Sequence, residues 1–122
     1  MTTQITITLN EDVAIVKIVG TPTLQDILNT FKKITGEAPL FYRRRLWDLR
    51  DCLINFSSAE LEKIAIFTSD QTGQASSKVA ILTTSDLTFG LSRMLQAFSK
   101  SENNSLAVFR DEGEALQWLL PD

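Results

Sequence analysis

A chain of 122 residues, 43% of them hydrophobic, carries apolar material for one domain, 1–122, around a single core. Its 15 acidic and 12 basic residues leave a net charge of −3, which argues against nucleic acid or an anionic membrane as a general partner. Histidine is absent, which removes the usual neutral-pH base, histidine-containing catalytic triads and histidine metal sites.

The chain opens with Ile5, Ile7 and Leu9 alternating with threonines, then Asn10, Glu11 and Asp12, then an apolar run from Val13 to Val19. This predicts a hairpin whose first strand lies near a sheet edge and whose second is covered on both faces. After Gly20 and Pro22 the period changes. Leu24, Ile27, Leu28, Phe31 and Ile34 share one helical face, Thr23 is the expected N-cap, Asp26 complements the positive helix end, and Gly36 and Pro39 end the helix.

Residues 43–49 return to strand character, with Leu46, Trp47 and Leu49 as apolar surface behind Arg43, Arg44 and Arg45. The next helix is announced by Ser57 and Glu60, which have capping-box spacing, with Phe56 and Leu61 placed as a hydrophobic staple. Leu61, Ile64, Ala65 and Thr68 continue its inward face until Gly73. Val79–Leu82 reads as a buried strand, followed by a helix capped by Ser85 or Asp86 with Leu87, Leu91, Met94, Leu95 and Phe98 on one stripe. Gly90 is expected to permit a close contact within that helix. The polar run SENNS separates it from a last strand, Leu106–Phe109. Asp111 and Glu114 then open a short helix with Ala115, Leu116, Trp118 and Leu119 inward. The predicted fold is α/β: a mixed five-stranded sheet with an N-terminal hairpin, parallel strand–helix–strand units and four packed helices.

Cys52 is the lone cysteine, so no internal disulfide can form; no apolar run is long enough to span a bilayer, and MTTQITITLNED lacks the basic start and apolar core of a secretory signal. The expected setting is the cytoplasm, without membrane association. Asp48, Asp51, Asp86 and Asp111 have neither acid/base pairing nor calcium-loop spacing, and no phosphate-binding glycine loop is present. No cofactor or metal is expected, and Cys52 is expected to be an ordinary buried or half-buried thiol. The Arg43–Arg45 run is read as a solvated start of a strand, with contact to a protein as the alternative; no nucleic-acid motif accompanies it.

Together RRRLWDLRDC, FSSAELEKIA, VAILTTSDLTFGLSRMLQAF and AVFRDEGEALQWL resemble the STAS-like group related to anti-sigma-factor antagonist domains, over most of the chain. The resemblance implies a mixed sheet packed by helices, nonenzymatic regulation or ligand sensing, and a functional loop after the strand carrying Trp47. In phosphorylation-controlled members a serine or threonine near the start of the following helix is the switch. Here Arg50 and Asp51 stand where hydroxyls are usual, and Ser57 and Ser58 are the nearest candidates for phosphorylation.

The leading expectation is a nonenzymatic regulatory or small-ligand-binding module, with Trp47, Asp48, Arg50, Phe89 and Arg93 bounding a site for a small apolar or anionic ligand. The alternative is protein interaction: a partner or a homodimer using an exposed helix, a sheet edge or Arg43, Arg44 and Arg45, or a phosphorylated switch at Ser57 or Ser58. An enzyme is the third reading, with no residue assigned a catalytic role.

Overall fold

The computed structural model describes residues 3–10, 13–36, 44–72, 77–98 and 104–120. The expectations attached to Pro39, Arg43 and Gly73 fall outside these residues, as does the side chain of Thr68. Five strands alternate with four helices as the periodicity predicts: β1 (Gln4–Asn10), β2 (Val13–Val19), α1 (Leu24–Gly36), β3 (Arg44–Asp48), α2 (Ser58–Thr72), β4 (Ser77–Leu82), α3 (Asp86–Phe98), β5 (Asn104–Phe109) and α4 (Glu112–Leu119). The last strand begins earlier than its apolar residues do, inside the polar run read as a loop.

The strands lie in chain order, β1-β2-β3-β4-β5, in one sheet. Only the β1–β2 hairpin is antiparallel; the other neighbours are parallel. Parallel crossovers that always step in the same direction place their helices on one face, because such connections are right-handed. Accordingly α1, α2 and α3 cover one side, where Val16, Ile18, Trp47 and Ile81 meet Phe31, Ile34, Leu61 and Ile64. The last helix, α4, returns to the opposite face, where Ala115 and Leu119 pack on Leu46, Ala80 and Leu82.

Local chemistry sets where the helices begin. Thr23 Oγ1 accepts from the Asp26 backbone N–H at 3.1 Å while the Asp26 carboxylate accepts from the Thr23 N–H at 2.9 Å. Ser57 and Glu60 exchange the same two bonds at 3.2 and 3.0 Å, with Phe56 and Leu61 buried together beside them. Ser85 rather than Asp86 caps α3, accepting from Thr88 N–H at 3.3 Å, and Asp111 caps α4 through Glu114 N–H at 3.0 Å. Each such cap stabilises its helix by about 1 kcal/mol.

Candidate functional site

Because β2 to β5 run parallel, their carboxyl ends share one edge, where Lys17, Asp48, Leu82 and Phe109 stand side by side in register. In open α/β sheets this edge is where connecting loops form sites. The loop from β3 to α2 is held there firmly. Leu49 N–H donates to Leu82 O at 2.8 Å, Gly20 N–H to Asp51 O at 3.1 Å, and Leu53 N–H to Gly20 O at 2.9 Å. Gly20 has φ 111°, a left-handed conformation that glycine tolerates without strain. From Cys52 to Ser57 the loop alternates buried and exposed residues, with Cys52, Ile54 and Phe56 facing the core. Burial pushes the Cys52 thiol up to about 11, so it is protonated and unreactive at neutral pH, as an ordinary core cysteine should be.

Strand alternation divides the residues expected to form one crevice. Trp47 points into the layer beneath α1 and α2. Asp48 points the other way, sharing a face with Leu46 beneath α4, and is 5% exposed. Its carboxylate accepts Arg50 Nε–H at 3.0 Å, Nη2–H at 2.9 Å and the Arg50 backbone N–H at 3.2 Å. Arg50 Nη2 also donates to Glu112 in the first turn of α4 at 2.9 Å. The guanidinium bonds from Arg50 hold the Asp48 carboxyl below the usual carboxylate range against the opposing effect of burial, and the same bonds raise Arg50. Lys17 and Asp51 add an exposed pair at 3.6 Å beside them.

A second cluster lies at the start of α3. The Arg110 guanidinium stacks 4.4 Å from the Phe89 ring centroid and pairs with Asp86 at 2.7 Å. Arg93 is exposed one helical turn beyond Phe89 on the same side of α3. Gly90 is exposed, and a Cβ there would meet nothing within 4 Å, so it does not serve the close contact expected of it. Among the described residues no group of three or more His, Cys, Asp or Glu is placed to hold a metal ion.

The structures most informative for comparison share this topology. An anti-sigma factor antagonist from Mycobacterium paratuberculosis aligns with a TM-score of 0.65 at 13% identity, over 97% of this chain and 94% of that one. The chain has the STAS-like fold. An uncharacterized protein from Shewanella loihica with a SpoIIAA-like fold aligns with the STAS-like chain at a TM-score of 0.59 and 20% identity, again over 97% and 94% of the two chains. No family model and no curated protein sequence matches it. No described helix of the STAS-like chain is long and apolar enough to cross a membrane.

Within this fold Asp48 and Arg50 come together as a pair, Phe89 and Arg93 form a second group, and Trp47 is separated from Asp48 by the sheet itself. The Arg43–Arg45 surface requires a correction. Arg45 is 1% exposed, lies 5.2 Å from the Phe31 ring centroid on the helix-covered face, and has its pKa lowered by desolvation to about 10. It belongs to the interior and contributes nothing to an interaction surface; Arg44 is half-buried and Arg43 lies outside the described residues. Ser57 uses its hydroxyl as the α2 cap, and Ser58 stands exposed at the first helical position. Sequence reasoning missed Glu112 and Arg110 as members of the edge clusters. Glu112 carried only the signal of an acid in a first helical turn, and its partner Arg50 is 62 positions away.

Proposed function

We propose that this STAS-like protein is a nonenzymatic regulatory module that binds a protein partner across the β3–α2 loop and the outer surfaces of α2 and α3. One observation carries the reading. Large apolar side chains stay exposed there, Leu53, Ile66, Leu87, Met94 and Phe98, at 39–57% of their full accessibility. On α3, Leu87, Met94 and Phe98 recur at helical spacing on one side, the pattern of anchors by which a helix face engages a groove or a second helix. Isolated exposed apolar residues are ordinary, whereas several on adjoining elements indicate association. The likeness to an anti-sigma factor antagonist agrees with a protein partner as the target.

The test is differential capture. The wild-type protein and a Met94→Glu/Phe98→Glu variant of equal thermal stability are returned to cells of the natural host, cross-linked and recovered. A protein recovered with the wild type and lost with the variant supports the surface. Identical recoveries from both would reject it.

Ser58 gives the partner reading a means of control. A phosphate there adds charge at the positive end of α2, the helix that follows the loop carrying Leu53, where it would strengthen or block docking through a partner arginine. A small-ligand reading rests on Phe89, on which Arg110 stacks, and Arg93, one turn further along the same side of α3; a small apolar or anionic ligand would sit against that side and reach Asp48 and Arg50 only from the α4 face of the sheet. Chemical-shift changes that leave Phe89 and Arg93 unmoved on ligand addition would eliminate it.

A further inference from the structure

The free edge of β1 lies outside the proposed partner surface. Among the described residues β1 has one strand neighbour, β2, and the register runs unbroken from Gln4↔Val19 to Asn10↔Val13. Soluble proteins usually blunt such an edge with a charge, a proline, a bulge or a very short strand. The seven residues of β1, QITITLN, include no charged residue and no proline, and the unbroken register leaves no bulge. The opposite edge differs. There the Leu106 carbonyl of β5 already accepts Gln96 Nε2–H of α3 at 2.9 Å.

The side chains of β1 are incompletely covered in a matching way. Ile5 and Ile7 are half-buried against the helical-face core, and Leu9, on the same face, is 41% exposed. Thr6 and Thr8 are exposed on the other face.

We propose that a second copy of this chain adds to β1, antiparallel and about a two-fold axis at Ile7, so that two five-stranded sheets become continuous. The pattern of β1 is complementary to itself in that register. Ile7 meets Ile7, Ile5 meets Leu9, and Thr6 meets Thr8, so each opposed pair shares a face and a chemical type. The pairing covers Leu9 and satisfies roughly six to eight outward backbone groups with hydrogen bonds. No like charges meet. Asn10, which leads into Glu11 and Asp12, lies about 20 Å from its counterpart at roughly 3.4 Å per residue. This interface is independent of partner docking on α2 and α3.

Sedimentation equilibrium of the full chain between about 1 µM and 1 mM tests it, with Thr6→Lys/Thr8→Lys and Thr6→Glu/Thr8→Glu as paired variants. These exposed threonines tolerate charge without disturbing the core, which circular dichroism verifies. The expected result is a reversible wild-type dimer, at least about tenfold weaker self-association in either charged variant, and recovery of dimer when the two variants are mixed. Amides of alternate β1 residues should exchange more slowly as wild-type concentration rises. A wild type that stays monomeric at 1 mM overturns the proposal. So does a dimer that survives the lysine substitutions, which would place the contact elsewhere, or variants that fail to associate on mixing.

Discussion

Replacing Arg50 by methionine tests the organisation of the sheet's carboxyl edge most directly. Methionine keeps an apolar stem of similar reach and deletes the guanidinium bonds to Asp48 and Glu112, which measure 2.9–3.0 Å. Asp48 is then left as a buried carboxylate whose remaining bond here is the backbone N–H of residue 50. Breaking a fully buried pair costs about 3–5 kcal/mol. The Arg50 side chain is 38% exposed and partly screened, so the expected loss is smaller, about 2–3 kcal/mol, or roughly 6–12 °C in Tm. Glu112→Gln removes only the outer, half-exposed pair and should cost under about 1 kcal/mol.

The sign of the pH dependence follows from the depressed Asp48 pKa. A carboxyl that is more acidic folded than unfolded contributes stability fully present above its unfolded value, about 3.9, and lost as pH falls through the folded value. Without Arg50 the largest lowering influence is gone and burial raises the group, so the Asp48-linked acid loss of stability shrinks or reverses in Arg50→Met, and the cost of the substitution is smaller at pH 4 than at pH 7. Urea unfolding followed by tryptophan fluorescence at pH 7 and pH 4 measures both effects. In the Arg50→Met background, Asp48→Asn should be nearly neutral or stabilising, giving a coupling of about 1.5–3 kcal/mol. Additivity of the two substitutions within about 0.5 kcal/mol, or an Arg50→Met cost no larger than that of Glu112→Gln, would refute the reasoning.

Arg45→Ala should destabilise the protein by at least about 2 kcal/mol more than Arg44→Ala in the same urea assay, because Arg45 fills space beside Phe31 that alanine leaves empty. Cys52 should react with a thiol reagent at pH 7 about 100-fold more slowly than an unfolded control, from the rise from 9.0 to about 11 alone, and react freely in urea. Ser57→Ala should cost about 1 kcal/mol by loss of the α2 cap, whereas Ser58→Ala should stay within about 0.5 kcal/mol; thermal melts of the two variants separate the structural serine from its neighbour.

The sequence carried most of the fold because its signals were local. Thr23 with Asp26 and Ser57 with Glu60 announce two helices through bonds that span one turn, and the threonine alternation of β1 marks a strand with one face in water. The candidate site was less legible because its pairs join residues far apart in the chain, such as Arg50 with Glu112. Two mistakes had a local remedy. Period-two alternation puts Arg45 and Trp47 on one face and Asp48 on the other, so it argued for a buried arginine and against a crevice shared by Trp47 and Asp48. Arginine's usual preference for water outweighed that geometry, and Phe31, whose ring lies beside the Arg45 guanidinium, is on a separate element.

The loop carrying Leu53 and Ser57, which leads into α2 at Ser58, is restrained from three directions. Gly20 ties it to β2, Cys52, Ile54 and Phe56 anchor it in the helical-side core, and Arg50 joins its start to α4 on the opposite face. Binding to such a loop avoids the entropy of ordering a mobile segment, and affinity should therefore depend on these restraints as well as on the contact residues. Arg50→Met consequently weakens capture of a partner that docks on Leu53, even though Arg50 joins Asp48 and Glu112 on the α4 side of the sheet. The same substitution leaves β1 self-association unchanged, because that edge lies beyond β2 and depends on none of the Asp48, Arg50 and Glu112 bonds. Loss of both properties together in a folded Arg50→Met protein would mean that the edge cluster and β1 belong to one cooperative unit rather than to two separate surfaces.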